Sequence, residues 1–262
     1  MRLLIASLRK LVRRPASRNT LIAMAGLLAI VYLSVGVSAR TIDDPETRDG
    51  IAAVVTFPAA YGNLAGLLVT FVGLAAAAWA GSVAGAEWSW NTFRLAVARG
   101  ESRARYALVT FAAATLLLLV AWVTLFAFGV GLALLGGSVA GLAAGDLGDP
   151  VTLGRLPLVL AAGWFAVVLS AGIGFAVAFI ARSQVAGIVA VVGLYFGEQF
   201  AAIVVPADLL RLAPMNASSA LAVEAGRGRP GPDLVVPLVM TVLYLAAAMG
   251  AVGLVARRTE VA

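Results

Sequence analysis

Apolar residues run through this chain in six long blocks, from about 20 to 39, 59 to 82, 107 to 136, 157 to 181, 184 to 205 and 234 to 256. Each holds roughly the 20 apolar residues that a helix needs to cross a hydrocarbon core, where every backbone polar group must be satisfied within the span. Each block is therefore predicted to be a transmembrane helix. The uncharged run from Tyr106 to Gly145 leaves room for one long helix with a glycine-rich outer end or for two tight spans. A seventh crossing would reverse the sidedness of everything after it. Before the first block the pattern changes. In MRLLIASLRKLVRRPASRN, Leu4, Leu8 and Leu11, with Ile5 and Val12, recur at helical spacing, while Arg2, Arg9, Lys10, Arg13 and Arg14 fill much of the remainder. That is the pattern of a helix lying in the membrane interface. Pro15 disfavours helical geometry at Arg14 and marks a bend, after which Ser17 or Asn19 is placed to cap the first span. This elbow, residues 1 to 18, anchors on anionic lipid alone or also touches a partner. No small-residue cleavage pattern follows, so the first span is expected to be retained.

Composition agrees with the pattern: 62% of the 262 residues are hydrophobic, 12% are charged and the mean hydropathy is +1.00, against about 25% charged in ordinary soluble domains. The chain has no cysteine and no histidine, which removes disulfides, thiol and imidazole catalysis and the zinc motifs built on those ligands. The net charge of +6 finds no polar block long enough to form a nucleic-acid-binding face, so it reports orientation instead. With six spans and both ends inside, the inner segments hold Arg2, Arg9, Lys10, Arg13, Arg14, Arg18, Arg94, Arg99, Arg103, Arg105, Arg182, Arg257 and Arg258, 13 of the 19 basic residues. The outer segments take most of the acids, among them Asp43, Asp44, Glu46, Asp49, Asp146, Asp149 and Asp208. The expected fold is an all-α integral membrane protein: one domain over residues 1 to 262, six transmembrane helices behind an amphipathic elbow, both termini cytoplasmic. Eighteen arginines against one lysine, with abundant alanine and glycine, give the chain a bacterial, GC-rich cast.

One charged stretch interrupts the apolar blocks. Residues 85 to 107, GAEWSWNTFRLAVARGESRARYA, carry four arginines, two acids and two tryptophans. Glu87 to Ala98 has no proline or glycine and is predicted to be a short interfacial helix; Gly100 then supplies a turn, and Glu101 to Arg105 lead into the third span. Tryptophans and arginines at a membrane boundary are also the ordinary aromatic belt and inside charge. Helix, glycine turn, helix is more than an orienting loop requires.

The stretch EWSWNTFRLAVARGESR resembles the cytoplasmic coupling segment of ABC transporter type-2 permeases, in which an acid precedes a Gly-Thr-Leu-Arg-like group and an Arg-Gly-x-Ser-Arg-like turn. Glu87 stands at the acid, Thr92 and Arg94 at the threonine and arginine, and Arg99, Gly100, Ser102 and Arg103 at the turn; Asn91 replaces the usual glycine and Phe93 the usual aliphatic residue. LLRLAPMNASSALA, residues 209 to 222, is similar to the family's Leu-Pro-x-Asn-Ala pattern at Leu212, Pro214, Asn216 and Ala217. It lies in the outer segment 206 to 233, where the resemblance implies short helices dipping into the outer leaflet. On its own residues the stretch reads as a loop helix capped by Asn216 or Ser218. The resemblance implies the transmembrane permease subunit of an exporter in the cytoplasmic membrane, forming the substrate pathway as a dimer. Residues 85 to 106, through Glu87, Trp88, Thr92, Phe93, Arg94, Arg99, Gly100, Ser102 and Arg103, would hold a separate cytoplasmic ATPase. ATP and magnesium would bind to that partner; this chain is expected to bind no cofactor, because its one lysine, Lys10, lacks the glycine frame of a phosphate-binding loop.

Three further features stay open. Glu198, in the fifth span, is either a buried or snorkelling structural residue or lines a substrate path with Gln199. Gly62 with Gly66, Gly81 with Gly85 and Gly193 with Gly197 have the spacing that lets helices approach closely, within one subunit or across a dimer seam. An ion-coupled secondary transporter is the alternative function, though no internal repeat accompanies the single intramembrane carboxylate. An intramembrane enzyme would need a convergent polar constellation, which the spans do not offer. The apolar spans lean towards lipid-like or amphipathic cargo.

Overall fold

The computed structural model describes residues 2–42, 44–227 and 232–258. Asp43 and residues 228–231 of the predicted outer segment lie outside the described residues, as do Met1 and 259–262. The chain forms eleven helices over this range: α1 (Arg2–Val12), α2 (Pro15–Thr41), α3 (Pro45–Ala52), α4 (Ala59–Ser89), α5 (Thr92–Ala98), α6 (Arg103–Ala140), α7 (Pro150–Ala181), α8 (Gln184–Ala201), α9 (Ala207–Leu210), α10 (Pro214–Arg227) and α11 (Pro232–Arg258). Among the described residues there is no strand, only a single bridge from Phe57 to Gly145. Six of the helices, α2, α4, α6, α7, α8 and α11, are long and apolar enough to cross a membrane. These are the six blocks of the hydropathy pattern.

The run from Tyr106 to Gly145 is one helix, not two. With 38 residues, α6 is about 57 Å long at 1.5 Å per residue, and so projects beyond a core of about 30 Å. Gly141 ends it in the left-handed conformation. The other boundaries move for local reasons. The first span begins at Pro15 and not at residue 20, because proline's fixed φ suits the first helical position and forces the preceding residue to be extended; Arg14 has φ −70° and ψ 127°. Neither Ser17 nor Asn19 caps it, since both lie inside the helix. Ser17 Oγ instead donates to Leu11 O at 2.7 Å and accepts from Trp79 Nε1 at 3.0 Å, tying α1, α2 and α4 together. The fourth span starts at Pro150, where Asp149 accepts from Thr152 N at 2.8 Å. The fifth ends at Ala201, four residues before its predicted limit of 205.

The helices are arranged in a centre and a rim. The most apolar stretches of α4 and α7 are 61% and 67% buried, whereas those of α2, α8 and α11 are 17%, 17% and 11% buried. α4 and α7 pack most extensively on each other, α2 leans on α6, α8 lies against α4 and α7, and α11 against α6 and α7. At one close crossing three glycines meet, Gly81 of α4, Gly174 of α7 and Gly187 of α8. At one end of the bundle, α3 and the turn after it press Val55 into the core beside Gly136 and Gly137 of α6. Phe57 N donates to Ala144 O at 2.9 Å and Tyr61 OH to Leu147 O at 3.1 Å, closing that end. There Asp44 caps α3, and the hydrogen bonds from Thr47 hold its carboxyl below the usual carboxylate range. The other end carries α1 and α5.

Candidate functional site

The site is built where α1, α4, α5 and α6 converge. Glu87 does not open a separate short helix, as its sequence context predicts; α4 continues through it to Ser89. The break falls at Asn91, in the left-handed conformation with φ 57°, a geometry that asparagine tolerates better than most residues. α5 then runs only from Thr92 to Ala98, and Gly100, with φ 90°, turns the chain into α6. Asn91 thus makes the sharp start that glycine would otherwise supply.

This break folds the stretch back on itself and buries Glu87, which is 1% exposed. Its carboxylate is surrounded. Lys10 Nζ donates to both oxygens, at 2.6 and 2.8 Å, and Arg14 Nη2 approaches Oε1 at 3.3 Å. Thr92 Oγ1 and Tyr106 OH donate to Oε2 at 2.5 and 2.8 Å. Five hydrogen bonds from four side chains therefore converge on one carboxylate, which offsets the cost of taking it out of water. They join the amphipathic helix α1 to both sides of the charged stretch.

Beneath this network lies an aromatic column. Phe93 is fully buried against Trp88 at 4.7 Å between ring centroids and Phe179 at 5.5 Å. Phe179 stacks on Phe175 at 6.1 Å, and Phe175 meets Phe111 at 5.3 Å, so the column runs from α5 into α7 and α6. A cation covers one of its rings, Arg182 at 4.7 Å over Trp88, and Arg14 lies 5.0 Å over the exposed Trp90 nearby. Arg14 Nε and Trp88 Nε1 are buried without a hydrogen-bond partner.

Of the residues singled out in the sequence, the structure brings Glu87, Thr92, Trp88 and Phe93 together against the bundle, Glu87 and Phe93 buried and Thr92 and Trp88 half-buried. It leaves Arg94, Arg99, Gly100 and Ser102 on the surface, with Arg103 half-buried at the start of α6. Trp90 and Leu95 are exposed beside them. The stretch is two-faced: an aromatic and acidic side locked to the bundle, and a basic side facing out. Sequence reasoning missed Lys10, Tyr106 and Phe179 as its partners. The available signal was Lys10 itself, the one lysine in a chain of arginines.

Glu198 lies at the far end and plays a different part. It is buried, and its carboxylate accepts from Met215 N at 3.0 Å, Asn216 N at 2.8 Å and Asn216 Nδ2 at 2.7 Å. The cap of α10 therefore comes from another helix. Asn216 and Ser218 do not provide it, because α10 already begins at Pro214, a favoured first helical position. Gln199 is exposed. Glu198→Ala is expected to destabilise the protein by about 2 kcal/mol, the cost of leaving buried donors unpaired. Faster proteolytic cleavage between residues 202 and 214, compared with wild type in the same detergent, would register it.

Comparison of the sequence with models of known families and with curated proteins returned no match. The fold and the six apolar helices define the class: a polytopic, multi-pass α-helical membrane protein.

Proposed function

We propose that this chain is the transmembrane permease subunit of an ATP-binding-cassette exporter, working as a dimer in the cell membrane with both termini cytoplasmic. A separate cytoplasmic ATPase drives it, holding the segment from 85 to 106. The observation that carries this reading is the two-faced geometry of α5. Arg94 and Arg99, with Trp90 and Leu95, face outward, and aromatic and arginine side chains are the residues that dominate protein interfaces. Behind them Phe93 is wedged against Trp88 and Phe179, and Glu87 against Lys10 and Tyr106. A push on α5 is thereby delivered to α1, α6 and α7 together. A loop that only orients the chain needs no such backing. The position of the acid, the threonine, the arginine and the glycine turn along this segment is the resemblance described above, and the mechanism is analogy to that family.

The test is recovery of the detergent-solubilised protein with its cassette ATPase, comparing wild type with Arg94→Glu and Arg99→Glu combined. Both residues are exposed, so the variant is expected to insert and fold normally while losing at least tenfold in recovered ATPase, equivalent to about 1.4 kcal/mol. If folded wild-type protein recruits no ATPase, the segment is an orienting loop and a secondary transporter becomes the better reading.

A further inference from the structure

The α2 helix stands away from α4 over part of its length, leaving an open cleft of about 270 Å³ between α2, α4 and α6. Its walls are apolar: Leu21 and Met24 from α2, Val72 and Ala76 from α4, Leu118 and Leu125 from α6. A second cleft of about 340 Å³ opens beside it and shares Thr20, Met24, Ala75 and Trp79. The two helices are bridged at the α1 end by the hydrogen bond from Trp79 to Ser17. That end is polar, because Ser17 and Arg18 line it together with Val12 at the end of α1. Along α2 the lining runs from Ser17 to Met24 and along α4 from Trp79 back to Val72, about 10 Å in each case at 1.5 Å per residue. The cleft is a slot with one cationic end.

Arg18 is exposed, and among the described residues no carboxylate pairs with it. Its neighbour Arg14 is already engaged by Glu87 and Trp90. Arg13 is also exposed, just before the bend. An uncompensated cation above an apolar slot between membrane helices is complementary to a lipid with a negative head group, and basic pockets of this kind bind such head groups. We propose that the cleft between α2, α4 and α6 holds one acyl chain of an anionic phospholipid, with its phosphate on Arg18. The lipid fills the space that α2 leaves against α4 and so braces α2 at the α1 end. This site is independent of any ATPase partner and of the exported cargo.

Native mass spectrometry of the full chain in detergent, incubated with equal amounts of phosphatidylglycerol and phosphatidylcholine of identical acyl chains, tests it. Wild type is expected to retain one phosphatidylglycerol in at least fivefold preference over phosphatidylcholine. Arg18→Gln should bring that preference close to unity. Ala75→Leu, which adds bulk to open space and not to packed core, should lower retention of both lipids at least fivefold. Arg40→Gln, at the opposite end of the same helix, should change neither. Equal retention of the two lipids by wild type overturns the proposal, as does undiminished retention by a monodisperse Ala75→Leu protein.

Discussion

Replacing Glu87 with alanine is expected to destabilise the protein by about 3–5 kcal/mol, the range for removing one partner from a buried ion pair. The reason is what remains behind. Arg14 stays 92% enclosed with its Nη2 group facing an empty site, and Tyr106 and Thr92 lose the acceptor at 2.8 and 2.5 Å. Lys10 fares better, because its side chain is 31% exposed and can turn towards water. Glu87→Gln should therefore be milder than Glu87→Ala, keeping one acceptor for Tyr106 or Thr92 while abolishing the charge. Lys10→Met should be milder still. Thermal unfolding of the three variants, followed by size-exclusion recovery after heating, gives the order. A double-mutant cycle between Lys10→Met and Glu87→Gln should return a coupling of at least about 1 kcal/mol if the pair interacts as its geometry requires. Equal stability of Glu87→Ala and wild type would mean that the network does not hold α1 to the rest.

That network bears on function as well as on stability. In the exporter reading, α5 must be firm enough to transmit a displacement, and a carboxylate held by residues from α1, α5 and α6 makes those elements move as one body. Glu87 is then a positioning residue, not a surface contact for the ATPase. A variant that kept its ATPase but no longer coupled hydrolysis to export would separate this role from that of Arg94 and Arg99.

The membrane architecture was legible in the chain because the hydrocarbon core imposes both length and composition on each span. Blocks such as 107 to 136 needed no knowledge of their neighbours. Helix ends were less legible where a proline or a distant side chain set them: Pro15 and Pro150 begin their helices outright, and α10 takes its cap from Glu198, 17 residues before Met215. The turn at Gly100 was readable from residue type, whereas the left-handed Asn91 was visible only as a departure from a familiar pattern. The interior of the candidate site was least legible of all. Glu87 and Lys10 are 77 residues apart, and nothing local says that an acid beside two tryptophans will be buried by a lysine on another helix. Small-residue spacing misled in a related way. A Cβ added at Gly62, Gly66, Gly193 or Gly197 would meet nothing within 4 Å, so only Gly81 and Gly85 among the three pairs lie at a close helix crossing within the chain. Gly174 and Gly187, which belong to none of those pairs, approach a neighbouring main chain as closely as Gly85 does, because contact is made across helices and not along one.

Alanine at Gly174 is expected to reverse the usual sign of a glycine-to-alanine change. In an open helix that change is favourable by up to about 1 kcal/mol, since alanine is the better helix former. Gly193→Ala, with open space around it, should accordingly match or exceed wild-type stability. At Gly174 the added methyl would fall on the carbonyl of Ala77, with the Ala77 carbonyl carbon and Cα at 3.0 Å. At Gly187 it would meet the Gly174 carbonyl oxygen at 2.5 Å and Ala178 Cβ at 2.7 Å. These neighbours are mostly main chain and cannot rotate away, unlike the Leu245 side chain that crowds Gly172. Relief requires α4, α7 and α8 to separate, and α4 and α7 form the most buried part of the bundle. The penalty should reach the upper end of the roughly 1–3 kcal/mol that overpacking costs, and leucine at the same position should prevent recovery of folded protein. The comparison of Gly174→Ala with Gly193→Ala, by temperature of half-loss in size exclusion, isolates packing from helix propensity because the two substitutions are chemically identical. If both raise stability, the three helices do not cross at glycine, and the centre of the fold is looser than its geometry states.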